Sequence, residues 1–382
     1  MKTYKKLFES VLDHDNLEKA IMRSSLGKRD RPDAKEIIKH KEYHIEKIQK
    51  LLRTRQLTFR KHKPCIIYDG INKKVRTIIK PDFKYEQIIH HAIVQAMHPF
   101  FMKGMYGHVC GSVPKRGAHY GKRYIEKWIR KDQRNVKYIL KTDVRHFFET
   151  IDHSVLKNKL QQAIRDDDML WLLFCVIDQT EKGLPLGYYT SQWLANWYLQ
   201  ELDHFIKEEL KAKYYVRYMD DMVILGNNKK SLHKMFDEIE SFMKTKLNIE
   251  IKGNWQVFRF DYISKKDGKR KGRPLDFLGF KFYRDKTVLR RTIMLKATRK
   301  AKAIGKKEKA TIYDIQQMMS YIGWMKHTDT YYMYQQRIKP NVDMRSFRKK
   351  VGRYTKRMNK RRNQNERLDM GAGKPKGTAT RG

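Results

Sequence analysis

Cysteine is scarce in this chain. Cys65, Cys110 and Cys175 are spread over 382 residues, odd in number and in no C-x-x-C pairing, so neither a disulfide framework nor a zinc site is suggested. Buried thiols in a reducing cytoplasm are the expectation. Long apolar runs are missing as well: the longest, residues 169–177, is too short to span a bilayer. Met1-Lys2-Thr3-Tyr4-Lys5-Lys6 leads into mixed charged and apolar residues with no signal-type apolar stretch, so a cytoplasmic protein without membrane partners is expected. There is no Pro- or Ser-rich bulk and no internal repeat. Acidic residues are few, 42 against 85 Lys and Arg, and the formal charge is +43. An excess of this size, spread along the whole chain, points to a polyanionic partner. Hydrophobic residues at 40% and aromatics at 12% supply a substantial core in two or three lobes, so the chain is globular and not a basic arm.

Residues 17–55 are helical in pattern, with a break at Gly27-Lys28-Arg29-Asp30-Arg31-Pro32. Residues 66–79 read as a basic hairpin that ends before Pro81. From Val136 a strand alternates into Asp143, and a helix follows, capped at Asp152 or Ser154, with Val155, Leu156, Leu160 and Ile164 at helical spacing. A helix through residues 193–206, a hairpin at 214–225, a helix capped by Ser231 over residues 232–247 and a strand at 249–251 complete the series. Strand, helices, hairpin, helix, strand is the split β-α-β order of a ferredoxin-like sheet, within an α+β fold. Beyond Lys286 the pattern turns helical and basic, with a capping box predicted at Thr311 and Asp314. The end reads as a disordered basic tail.

Tyr218-Met219-Asp220-Asp221 stands out because β-formers on both sides place two like charges at one tight turn. Adjacent carboxylates repel and raise each other's pKa unless a cation sits between them. The pair is either a solvated turn or half of a metal site. Asp143 ends a strand expected beside this hairpin, so three carboxylates from separate segments converge on one sheet edge, as two-metal phosphoryl chemistry requires. His90-His91 and the pair His40 and His44 lack partner Cys or acid spacing and are expected on helix surfaces.

These blocks resemble reverse transcriptases in order over nearly the whole chain. Tyr218-Met219-Asp220-Asp221 looks like the catalytic box, and Lys141-Thr142-Asp143-Val144-Arg145-His146-Phe147-Phe148 like the first metal-binding motif. The resemblance implies that Asp143, Asp220, Asp221 and the Val144 carbonyl hold two Mg²⁺ ions, with Mn²⁺ as a substitute. It makes Phe148 a gate against a ribose 2′-hydroxyl and leaves Phe147 to core packing. Arg76 matches an arginine that clamps the triphosphate, supported by Lys73, Lys74 and Lys80. Lys252, in Leu247-Asn248-Ile249-Glu250-Ile251-Lys252, matches a general acid for the leaving pyrophosphate. Leu275-Asp276-Phe277-Leu278-Gly279-Phe280 resembles the primer-grip segment and carries no chemistry of its own.

Residues 183–192, Gly-Leu-Pro-Leu-Gly-Tyr-Tyr-Thr-Ser-Gln, align with the box that supports the templating pair. Most of the family reads Gln-Gly there and ends in Ser-Pro. Leu186-Gly187 and Ser191-Gln192 depart from that and resemble the enzymes of diversity-generating retroelements, which misincorporate opposite template adenines. The implied architecture is a right-hand polymerase: N-terminal extension 1–55, fingers mainly within 56–135, ferredoxin-like palm 136–285, helical thumb 286–355 and tail 356–382, with no room for an RNase H or endonuclease domain. Implied partners are template RNA, the cDNA/RNA duplex, deoxynucleotides and a small basic oligomeric accessory protein. A retron, group II-like or phage-defence reverse transcriptase shares the chemistry, and a nonenzymatic RNA-binding scaffold is the alternative of a different class.

Overall fold

The structure, a computed structural model, describes residues 4–60, 62–69 and 74–371. Lys73, the side chain of Lys74 and the expected tail beyond residue 371 lie outside the described residues. The chain divides into two compact units, Met1–Leu278 and Gly279–Gly382.

In the first unit, helices His14–Ser24, Pro32–Lys39 and Lys41–Arg53 form because buried Leu17, Ala20 and Ile21, then Ala34 and Ile37, and then Ile45, Ile48 and Leu52, recur on one face of each. Gly27, at φ 74, makes the break, and Pro32 opens the next helix where no backbone donor is needed. The basic hairpin is β1 (Cys65–Asp69) against β2 (Lys74–Ile78). It leads to helix Ile88–Met102, which packs against His14–Ser24.

The central sheet holds β3 (Tyr138–Thr142), β4 (Tyr214–Tyr218), β5 (Asp221–Gly226) and β6 (Gln256–Arg259) in the spatial order β4-β5-β3-β6, all antiparallel. This is the ferredoxin-like arrangement. Its helices cover a core that includes Leu140, Tyr215, Ile224, Phe236 and Ile239.

Several local expectations shift. The closing strand lies at 256–259 instead of 249–251: Ile251 makes a single bridge to Val144, Gly253-Asn254 turn the chain, and regular pairing with β3 resumes after it. Helix Lys229–Leu247 is capped by Asn228, whose side-chain oxygen accepts from the Ser231 amide at 3.2 Å; extended Asn228 precedes two lysines that favour helix, so the start moves ahead of Ser231. The helix expected through 193–206 breaks into Tyr189–Tyr198, Gln200–His204 and a wider turn Phe205–Glu209. Asp152 caps its helix as expected, accepting from Val155. His44 and His90 are buried rather than on helix surfaces, and Cys110 alone of the three thiols is fully buried.

The second unit opens on hairpin Phe280–Phe282 and Thr287–Leu289 and continues in helices Arg291–Gly305, Ile312–Met325, Tyr331–Arg337 and Met344–Gly371. Thr311 and Asp314 form the reciprocal capping box. The last helix passes residue 356, where a disordered tail was expected, because residues 353–370 contain neither Gly nor Pro and are mostly good helix formers. Among the described residues no helix is long and apolar enough to cross a membrane.

Candidate active site

Met219 and Asp220 form a two-residue turn between β4 and β5, closed by the Tyr218–Asp221 pair. Met219 adopts φ 55, the left-handed conformation that such hairpin turns require at their first position. Because Thr142 pairs with Met222, the end of β3 lies beside this turn and delivers Asp143 to Asp220. The Asp220 carboxyl is pushed up to about 7, first by burial, then by the charge of Asp143 and a hydrogen bond between the two side chains, with Asp221 adding to it. Two amines stand nearby. Lys252 Nζ is 3.9 Å from Asp143 Oδ2, and its backbone amide donates to the Asp143 carbonyl at 2.9 Å. Lys141 Nζ is 3.9 Å from Asp221 Oδ2 and donates to the Asp276 carbonyl at 2.9 Å.

The loop before helix Tyr189–Tyr198 is pinned at both ends. Gly183, at φ 74, lies so close to the helical turn Phe147–Thr150 that a Cβ would stand 2.4 Å from the Phe148 carbonyl oxygen, which also accepts from the Leu184 amide at 2.6 Å. Gly187, at φ 118, would place a Cβ 2.1 Å from the carbonyl oxygen of Ile79, whose amide donates to Leu186 at 2.7 Å. Only glycine fits at these approaches. The loop therefore ties the turn carrying Phe148 to the residue that follows β2, the strand of Arg76. Its helix is anchored by buried His90, with Nδ1 3.0 Å from Thr190 Oγ1 and its ring 4.5 Å from that of Tyr188. Burial, then the neighbouring His91 and His62, push His90 down to about 3, so it is a neutral hydrogen-bonding group.

The family model described as reverse transcriptase (RNA-dependent DNA polymerase) matches residues 59–282, more than half of the chain and all three aspartates. The chain belongs to the reverse transcriptase family. It is 23% identical to Protein YkfC of Escherichia coli K12 over 148 residues, 36% of this chain and 39% of that protein. It is 28% identical to Retron Ec73 reverse transcriptase of Escherichia coli over 121 residues, 28% and 38% of the two chains. Against Group II intron-encoded protein LtrA of Lactococcus lactis the identity is 26% over 153 residues, 37% and 24% of the two. The matches thus span less than two fifths of the length of these relatives.

In this reverse transcriptase chain, Asp143 and Asp220 are the close pair, and Asp221 flanks them at the start of β5. The three do not crowd one point. Among the described residues, the one trio of such side chains with ligand atoms all within 4.8 Å is His14, Asp15 and Glu18, where the exposed imidazole already engages Glu42. Val144 buries its side chain, Phe147 is in the core, and Phe148 is half-buried against it. Arg76 is half-buried on β2, as is Leu186 in the loop; Gly187 and Gln192 are exposed, and Ser191 is buried within its helix. Carboxylate and carbonyl oxygens are a hard donor set that suits Mg²⁺ or Mn²⁺, and a cation there relieves the repulsion that raises Asp220, so these residues fit a divalent metal.

Sequence reasoning missed Lys141 as a neighbour of Asp221, and also a buried group behind the aspartate turn, Arg217, Asp203 and Asn196. The available signal was Arg217 itself, a guanidinium inside an apolar strand.

Proposed function

We propose that the chain is an RNA-directed DNA polymerase that copies a template RNA into cDNA from deoxynucleotides. The observation that carries this is the Asp143–Asp220 carboxyl pair at the sheet edge with Asp221 beside it. Asp143, the Val144 carbonyl, Asp220 and Asp221 would hold Mg²⁺, which would supply acidification of the primer hydroxyl and charge neutralisation at the triphosphate. The protein's own groups do the rest. Arg76 and Lys74 hold the triphosphate, Phe148 excludes a 2′-hydroxyl, and Lys252, beside Asp143, gives a proton from Nζ to the departing pyrophosphate. The excess of Lys and Arg holds template and product through their phosphates, in a strongly salt-dependent way.

The finer reading is cDNA synthesis from a template-repeat RNA with adenine-directed mutagenesis in a diversity-generating retroelement, working with a small basic accessory protein. It rests on Leu186-Gly187 and Ser191-Gln192, where at Leu186 a branched apolar group replaces an amide that would otherwise constrain base-pair geometry. A retron or group II-like role is the second reading, favoured by similarity to a retron reverse transcriptase and to a group II intron-encoded protein. The DNA flanking the gene separates them: a repeat pair differing at adenines supports the first, a structured noncoding RNA just upstream the second. For the activity itself, wild-type protein with Mg²⁺, primed RNA and deoxynucleotides should extend the primer. Asp220→Ala should abolish extension while RNA binding persists; equal inactivity of both, with native RNA and partners supplied, overturns the proposal in favour of a binding scaffold.

A further inference from the structure

Behind the catalytic turn lies a polar group with no access to solvent. Arg217 on β4 is 0% exposed, and each of its five N–H groups has an acceptor. Nε donates to Asp203 Oδ1 at 2.7 Å and Nη2 to Asp203 Oδ2 at 2.5 Å, a bidentate pair. Nη2 also reaches the Asn196 carbonyl at 3.4 Å. Nη1 donates to Asn196 Oδ1 at 3.0 Å and to the carbonyl oxygen of Met219 at 2.9 Å. Asp203 accepts a further bond from the Tyr215 hydroxyl at 2.7 Å. The same Asn196 side chain reaches a further segment, its Nδ2 donating to the Gly111 carbonyl at 2.8 Å. A Cβ on Gly111 would stand 2.7 Å from the Met219 amide nitrogen and 2.8 Å from its sulfur.

Met219 is thus held at both of its backbone polar groups, by a guanidinium on its carbonyl and by a glycine backbone against its amide. It is also the left-handed residue immediately before Asp220. A buried ion pair is a poor device for stability alone, since apolar packing of the same volume does as well. Its worth here is directional: a rigid planar fork fixes where one carbonyl points, and so fixes the peptide that leads into Asp220.

We propose that Arg217, oriented by Asp203 and Asn196, is a positioning residue that locks Met219 in its left-handed conformation and thereby sets the Asp220 carboxylate against Asp143. The proposal rests on the reading of Asp220 as catalytic. It goes beyond it by assigning the accuracy of the aspartate pair to a cluster that touches neither substrate nor metal.

The test uses full-length protein in primer extension. Arg217→Lys keeps the buried charge opposite Asp203 but lacks the fork, and Asn196→Ala removes one arm of the cluster. Gly111→Ala disturbs Met219 at its amide with Arg217 intact. Each variant is expected to lower kcat roughly 10- to 100-fold, as for loss of an interaction made only in the transition state, with the deoxynucleotide KM within about twofold of wild type. Half-maximal activity should need several-fold more Mg²⁺, and the Arg217→Lys/Gly111→Ala double variant should lose less than the product of the single effects. A cluster that serves folding alone would lower the melting temperature and leave kcat and Mg²⁺ dependence unchanged in the protein that remains folded; that result overturns the proposal. If Arg217→Lys does not fold, Asn196→Ala and Gly111→Ala decide by the same readouts. A wild-type chain that extends no primer defeats the polymerase reading first, whereas an active wild type with equally active variants defeats only the positioning role.

Discussion

Gly187→Ala tests whether the loop behind Leu186 must be docked for nucleotide binding. An alanine Cβ would lie 2.1 Å from the Ile79 carbonyl oxygen, where contacts under 3.0 Å essentially never occur, so loop and strand end must part by roughly an ångström. The obstacle is backbone, which no rotamer change can clear. The separation breaks the 2.7 Å hydrogen bond from the Ile79 amide to Leu186, worth about 1 kcal/mol. Alanine at φ 118 adds roughly 1–2 kcal/mol of backbone strain. The sum, about 2–3 kcal/mol, corresponds to roughly a 30- to 150-fold change in an equilibrium. Since the contact joins the end of β2 to the loop, that factor is the ceiling on the expected rise in deoxynucleotide KM, measured by steady-state primer extension. The fall in the urea midpoint is bounded by the same energy, because the loop can detach locally instead of the unit unfolding. Gly253→Ala is the control, with nothing within 4 Å of its Cβ. A Gly187→Ala enzyme with wild-type KM and midpoint would show that the docked loop has no part in binding.

Three shorter predictions follow from the same site. In metal-free protein Asp220 binds its proton more tightly folded than unfolded, about 7 against 3.8, so this group makes stability fall as pH rises through that interval; Asp220→Asn should flatten the decline, seen as a higher melting temperature at pH 8 than wild type in chelator and little difference at pH 4, and a parallel decline in both proteins would refute it. Phe148→Ala should raise ribonucleotide incorporation relative to deoxynucleotide by at least tenfold in primer extension; unchanged discrimination would return Phe148 to core packing against its neighbours. Leu186→Gln should lower misincorporation at template adenines, read by sequencing the cDNA, and an unchanged error rate there would remove the explanation based on this side chain.

Much of this protein is legible in short stretches of sequence. The ferredoxin-like order, the cap at Asp152, the capping box at Thr311 and the aspartate turn each depend on residues within one or two turns of chain, where periodicity and local hydrogen bonding dominate. The residues of the proposed chemistry are legible too, because Asp143, Asp220 and Asp221 sit at the ends of strands whose pairing follows from that order. What only the tertiary structure decided depends on segments meeting across long intervals of chain. Gly111, Asn196, Asp203 and Arg217 gather behind the turn, Ile79 meets Gly187, and His44 and His90 lose their water. Even the closing strand is displaced beyond its local pattern by a single intervening turn at Gly253-Asn254. The sequence by itself determined which groups are candidates for the proposed reaction. The tertiary structure decided how tightly they are held, because the position of a side chain depends on distant backbone that no local pattern encodes.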